Sequence, residues 1–483
     1  MSTEQPVERR TILKTAAAAS MAGPFAGLVA APHAAAATNP RTVPLEAVAD
    51  ERDGVVRLHV PEGFRYRSFH DTTDTVVLTD GTVLPGRHDG MGAFPGPDGT
   101  VVLVRNHEIN SPVPAAFGTG TPYDPRAGGG TTTIQVTNTG EVIRSFTSLN
   151  GTMMNCSGGQ MPWGAWITCE ETINGPDVGP DFTGASNIAL TKPHGFIFEV
   201  PVSAFPGTGQ STRQPIRSAG RFAHEAVSYD PHSGYLYLTE DDFGFASGFY
   251  RYKPPSDPMV VGRLEDGGTL EMLKVAGAWN AHLEGAQEQN ATYRTEWVPI
   301  ADPAPNFPYT PGVIAPTSNN TAITHVARQG WAQGAAYFSR LEGQVARDGV
   351  VYFTSTEGGG PAEVTNENPL GFGNGFGQVW AYHAASGKLR CVFQSSGPDV
   401  LDLPDNITTS PRGTLVVCED STDRNFVRGL SKNGKLWDIA LNPTADEFAG
   451  STFSPDGHTL FVNIQASRGR SFAIWGPWQK IGV

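Results

Sequence analysis

The chain has 483 residues, a formal net charge of −14, 57 glycines and 38 prolines, and 10% of its residues are aromatic. The acidic balance excludes nucleic acid as a partner, because phosphate backbones select basic faces. The turn-rich but aromatic composition describes a folded chain, of roughly two or three domains unless a closed repeat array absorbs the length.

The first 37 residues carry Arg9-Arg10-Thr11-Ile12-Leu13-Lys14 and end in Ala35-Ala36-Ala37, a small-residue cleavage pattern. The stretch between is weakly apolar and broken by Gly23, Pro24 and Gly27, which makes a poor membrane anchor. It resembles a twin-arginine export signal, with Glu8 and Ile12 departing from the commonest form. An exported protein is expected, periplasmic, extracellular or on the cell surface, with no membrane span. Residues 38–483 are then read as one domain.

Along that domain an apolar strand runs six times into a polar residue. The ends fall at Glu108, Glu170, Glu240, Glu357, Glu419 and Gln465. Ahead of each, by 14 to 19 residues and across a turn such as DPHSG or SPDG, stands an earlier polar landmark: Asp89, Cys156, Glu225, Glu342, Asp405-Asn406 or Glu447. In an antiparallel hairpin the start of the first strand and the end of the second share one edge. Each unit therefore brings two polar groups to one place. Further alternating strands follow each pair, as in residues 195–200, 248–252, 378–382 and 435–439. The expected fold is all-β, a six-bladed β-propeller, with the early segment 55–69 completing the last sheet. Two separate β-sandwiches would not need matched landmarks. A long insertion between blades three and four, about 253–335, reads either as a lid beside the channel mouth or as a surface excursion. A short helix is expected near 324–331.

A ring of carboxylates on a propeller axis repels itself unless protons or cations occupy it. Hard oxygen ligands without a histidine cluster favour Ca2+ or another oxygen-preferring ion, and the thiolate of Cys156 adds a softer ligand suited to a transition metal such as iron. Four cysteines in an exported chain also allow two disulfides. Against that, Cys169 and Cys418 sit at matching places before a glutamate, where packing is expected. Arg340, two residues before Glu342, should share its face and either orient a carboxylate or fork onto an anionic substrate. His107 and His224 should face the other way, as packed or supporting groups. The glycine-rich run 371–377 is expected to be a loop between blades.

Several blocks resemble the PhoX-type alkaline phosphatase family. They include Pro-Glu-Gly-Phe at 61–64, Asp-Gly-Met-Gly-Ala-Phe at 89–94, Asn-His-Glu at 106–108 and Asn-Cys-Ser-Gly-Gly at 155–159. Later come Gly-Arg-Phe-Ala-His-Glu-Ala at 220–226, Arg-Leu-Glu-Gly at 340–343, Thr-Ser-Thr-Glu-Gly-Gly at 354–359, Pro-Asp-Asn-Ile at 404–407 and Cys-Glu-Asp at 418–420. The resemblance implies hydrolysis of small phosphate monoesters at a cluster of Fe3+ and Ca2+, and a monomer is expected. It implies Cys156, Glu225 and Glu342 as iron-side ligands, and Glu108, Glu170, Glu240, Glu357, Asp405 and Glu419 as candidates for calcium. Arg340 resembles the phosphate-contacting arginine, so Arg340, Glu342 and Cys156 are the expected catalytic groups. A calcium-dependent lactonase or phosphotriesterase-like propeller, and a non-catalytic metal-binding propeller, are the competing readings.

Overall fold

A computed structural model describes residues 44–110, 112–256, 264 and 266–483. The arginine pair and the cleavage pattern lie outside the described residues. Each unit begins on an inner strand: His88–Pro95, Asn155–Met161, His224–Asp230, Leu341–Arg347, Pro404–Thr409 and Glu447–Phe453. Each inner strand pairs antiparallel with the next strand in sequence. Each also contacts the inner strand of the following unit, and Glu447–Phe453 contacts His88–Pro95, so the six close a ring. The architecture is all-β and propeller-like.

Composition separates the two kinds of strand. Second strands such as Val101–His107 and Val350–Ser355 are rich in β-branched and aromatic residues, which pack well on a pleated surface buried on both faces. Inner strands such as Asn155–Met161 (NCSGGQM) and Glu447–Phe453 (EFAGSTF) use small residues, because their backbones converge on the axis. A Cβ on Gly159 would collide with the carbonyl oxygen of Val227 on the neighbouring inner strand.

Every gap between adjacent sheets holds its own core. Phe94, Val104, Trp166 and Phe198 fill the first gap, and Ile167, Leu238, Tyr250 and Met272 part of the second. Phe249, Phe353 and Trp380 fill the third, Val379, Ile407 and Val417 the fourth. Phe448, Val462 and Trp437 lie in the fifth, and Met91, Leu103, Phe461 and Trp475 in the sixth. Each such side chain contributes about 1.5–3 kcal/mol on burial. Alternation along the strands supplies both faces of every sheet.

The early segment divides in two. Arg65–Phe69 pairs with Arg470–Trp475 and completes the sixth sheet, as expected. Val56–Pro61 instead joins the fifth sheet through His59 and Leu441, with Leu45–Ala49 outside it. The insertion is a strand extension. Thr269–Val275 and Thr292–Pro299 continue the third sheet outward, and Thr292–Arg294 then pair with Lys388–Arg390 on the outer edge of the fourth. The two sheets become one nine-stranded sheet, and among the described residues none of the insertion lines the axial cavity described below. The lid reading therefore has no support in the position of these strands. The helix His325–Trp331 lies where expected and packs Val326, Ala327 and Trp331 into the second gap. The glycine run 371–377 connects the second and third strands of the fourth sheet, inside a unit instead of between two.

Candidate metal centre

The units share a defect that builds the centre. In five of the six hairpins, register shifts two residues into the inner strand, between His88 and Met91, Asn155 and Gly158, His224 and Val227, Leu341 and Gln344, and Pro404 and Ile407. The first residues inside these β-bulges are Asp89, Cys156, Glu225, Glu342 and Asp405. A bulge re-aims side chains that regular pleating would send into the sheet packing. All five line one axial cavity of about 570 Å³ including its open mouth. In the sixth hairpin the bulge falls at Gly450-Ser451, while Glu447 pairs directly with Gln465, and both reach the same cavity.

The second acidic position stands at Glu108 where its strand end suggests, but falls one residue beyond the suggested ends Glu170, Glu240 and Glu419. Glu108, Glu171, Asp241, Thr356 and Asp420 each donate the backbone N–H to the carbonyl of the residue just ahead of the inner strand, respectively Arg87, Met154, Ala223, Arg340 and Leu403. Glu108, Glu171 and Asp241 line the cavity. Glu170, Glu240 and Glu419 do not: they point the opposite way and are held by other donors. Glu170 accepts from Met153, Gly195 and Phe196 N–H groups and contacts His194. Glu240 accepts from Gly248 N–H and the Tyr250 hydroxyl, both at 2.8 Å. Glu419 accepts from Asp402 and Phe426 N–H and from Arg428 Nε. Glu357 lies beyond its strand, 3.5 Å from Arg340 Nη1. The doublets Glu170-Glu171 and Glu240-Asp241 carried the signal for the two acids that sequence reasoning passed over. Alternation sends one member of each pair to the packing and the other to the axis.

Two tight groups form inside the cavity. Ligand atoms of Cys156, Glu171 and Glu225 lie within 4.8 Å of one another, as do those of Glu225, Glu342 and Asp405. Glu225 belongs to both. All five residues are buried. The cavity holds eight carboxylates, Asp89, Glu108, Glu171, Glu225, Asp241, Glu342, Asp405 and Glu447, against two guanidiniums, Arg87 and Arg340. Burial, then the charges of Glu342, Asp405 and Glu171, push the Glu225 carboxyl far above its ordinary range. Burial, then Glu225 and Glu171, do the same to the Cys156 thiol, which donates to the His224 carbonyl at 3.2 Å. Groups in this state hold either protons or cations, and one thiol among crowded carboxylates is a fitting donor set for metal.

Arg340 is buried and reaches Glu342 by a route other than strand alternation. Its backbone is left-handed (φ 43) just before the inner strand begins. From there Nε and Nη2 fork onto Asp241 at 3.0 and 2.8 Å, and Nη2 also donates to Glu342 Oε1 at 2.6 Å. His107 and His224 are packed behind the cavity, His107 against Gly86 O and Thr132, His224 stacked on Phe222. All four cysteines are free and buried, so neither disulfide forms.

A model of the family described as alkaline phosphatase PhoX matches residues 43–143 and 137–467. The chain belongs to the PhoX family. It is thereby a metal-dependent phosphoric monoester hydrolase by family. Among solved structures, PhoX from Pseudomonas fluorescens in complex with vanadate, a transition state analogue, shares the PhoX fold at a TM-score of 0.63. Identity is 16%, over 90% of this chain and 98% of that one. A virginiamycin B lyase from Staphylococcus aureus with quinupristin aligns at a TM-score of 0.38 and 12% identity, over 85% of this chain and 99% of that one. No curated protein sequence matches. Among the described residues no helix is long and apolar enough to cross a membrane.

Behind the PhoX centre, His194 is buried between two acids, with Nδ1 2.6 Å from Glu170 Oε1 and Nε2 3.6 Å from Asp124 Oδ2. Burial alone would lower its pKa. The charge of Glu170 and the contacts with both acids outweigh burial and raise the pKa to about 9. That exceeds the unfolded value of about 6.5. Protonated His194 thus stabilises the fold fully below about pH 6.5, and the contribution is lost as pH rises through the folded pKa. His194→Gln should flatten the decline of Tm between those limits. An unchanged slope in a thermal melt series would refute the assignment.

Proposed function

We propose that this chain, exported by the twin-arginine route and working as a monomer, hydrolyses small phosphate monoesters at Fe3+ and Ca2+ held in the axial cavity. The observation that carries the reading is the pair of donor groups joined through Glu225. Cys156, Glu225 and Glu342 are assigned to iron, since Cys156 supplies the soft donor among them. Asp405, Glu171 and Glu108, all oxygen donors at the cavity wall, are assigned to calcium. When bound, these cations would neutralise charge on a phosphoryl group and acidify water for attack on phosphorus.

The chain's own groups orient that chemistry. Arg340 fixes Asp241 and Glu342 by its fork and presents the same guanidinium to the cavity that would receive the phosphoryl oxygens. The packed inner strands leave the carboxylates little freedom to reorganise. Burial excludes bulk water from the donor groups, which strengthens each interaction within them. The bulges aim five donors at one point without long flexible side chains having to search for it.

Elemental analysis of the purified exported protein, with phosphomonoester, phosphodiester and lactone assays beside it, tests the proposal. Stoichiometric iron together with calcium and a phosphomonoesterase activity is the expected result. Calcium without iron, coupled to lactone turnover, would replace it with the lactonase reading. Arg340→Ala should lower kcat/KM by about 10- to 100-fold while iron and calcium remain bound. Arg340→Lys should recover little, because an ammonium cannot fork onto Asp241. Metal loss in both variants would make Arg340 a structural support alone.

A further inference from the structure

A second arginine occupies the same place in the repeat as Arg340. Arg87 directly precedes the inner strand His88–Pro95, as Arg340 precedes Leu341–Arg347, and both have left-handed backbones, with φ of 52° and 43°. Met154 and Leu403 hold the equivalent left-handed position before two other inner strands, with φ of 47° and 50°. The position therefore accepts apolar side chains, and the backbone does not by itself call for arginine. Non-glycine residues held there are strained and cluster at functional sites.

Arg87 and Arg340 line the same cavity. In the ring of inner strands, His88–Pro95 and Leu341–Arg347 are separated by two intervening strands in either direction. The two guanidiniums consequently approach the axis from opposite sides. Their surroundings differ. The Arg340 side chain is 3% exposed and engages Asp241, Glu342 and Glu357. The Arg87 side chain is 26% exposed, donating from Nε to the Glu108 carbonyl at 3.1 Å and from Nη2 to Glu108 Oε2 at 2.5 Å. Glu108 thus grips Arg87 on one edge while the cavity mouth leaves part of it open to solvent.

Resting on the phosphatase reading, we propose that Arg87 is a second phosphate-contacting residue, a rim guanidinium that captures the ester dianion opposite Arg340. A monoester offers three non-bridging oxygens and can be held from both sides. A diester offers two and one charge, so it gains less from the second arginine. Arg87 would then contribute to preference for monoesters over diesters as well as to affinity.

The test uses the metal-loaded protein and its Arg87→Ala, Arg87→Lys and Glu108→Gln variants. The probes are p-nitrophenyl phosphate, bis(p-nitrophenyl) phosphate and inorganic phosphate. In Arg87→Ala, KM for the monoester and the inhibition constant for phosphate should rise together by about 10- to 100-fold. KM for the diester should move less. At saturating iron and calcium the metal content should stay at the wild-type value, and lysine should restore part of the affinity. Unchanged KM and phosphate inhibition would overturn the proposal. So would metal loss shared by Arg87→Ala and Glu108→Gln, which would make Arg87 a support for Glu108. If the wild-type protein hydrolyses no monoester, the functional reading fails separately. Calorimetric titration with inorganic phosphate still decides whether Arg87 binds the anion, and equal affinity in wild type and Arg87→Ala would reject it.

Discussion

Replacing Glu225 with alanine should cost activity by more than about 100-fold and remove metal from both donor groups at once. The magnitude follows from position. Loss of a partner that merely supports a metal ligand lowers affinity or activity by about 10- to 100-fold, whereas Glu225 is itself common to the Cys156–Glu171–Glu225 and Glu225–Glu342–Asp405 groups. Glu342→Ala or Cys156→Ala would touch one group each and should leave part of the metal bound. The stability effect has the opposite sign in the metal-free protein. Burial disfavours a charge on Glu225, and the neighbouring carboxylates disfavour it further. Deleting the carboxylate therefore relieves repulsion, and Glu225→Gln should melt above wild type in chelator while melting below it in calcium. Metal content by elemental analysis and Tm in both buffers check the two halves. Full metal retention in Glu225→Ala would remove the basis of the shared-ligand assignment.

Chelation itself should produce the second large effect. Eight cavity carboxylates meet two guanidiniums, and the imbalance sits where the six inner strands converge. A cation binding only the folded state at 100 times its Kd adds about 2.7 kcal/mol. Several such sites should lower Tm by many degrees when emptied, and the melting of the metal-free protein should depend on ionic strength because screening relieves the repulsion. Returning calcium should restore Tm, with activity requiring iron as well. A Tm that ignores both chelator and salt would mean that the acids are held protonated and that the cavity is not a cation site.

The architecture was legible because its signals are local. Second strands such as LYLTE and LVVCE announce themselves by short apolar runs, and the landmark before each marks the opposite end of a hairpin. Cys156, Glu225, Glu342 and Asp405 were readable for the same reason: they recur at nearly fixed distance from a strand end. The bulges were not readable, since the small inner-strand residues around them, Gly90, Ser157, Ala226 and Gly343, carry no local signal of a register shift. Without the bulge, alternation places Arg340 and Glu342 together on a strand. The structure joins them instead through a left-handed residue and a register shift, so the contact was right and its cause was different. Glu170 and Glu171 show the sharper limit. A strand end is uncertain by a residue or two, and one residue decides whether a carboxylate meets His194 or the cavity. The pairing of the insertion was not legible because its partner, the strand Lys388–Gln394, is far from it in sequence.

The pairing of Arg65–Phe69 with Arg470–Trp475 has a consequence for biogenesis. The sixth sheet cannot be finished until the ribosome has produced residue 475, and before that the ring has an open seam with an unpaired strand edge on either side. Completion of the sixth sheet then waits on the strand Arg470–Trp475. Such an edge is a template for intermolecular pairing, and high contact order of this kind slows folding. A nascent chain delivered across a membrane in extended form would carry that seam into a compartment without cytosolic chaperones, whereas a route that waits for closure would deliver it already sealed.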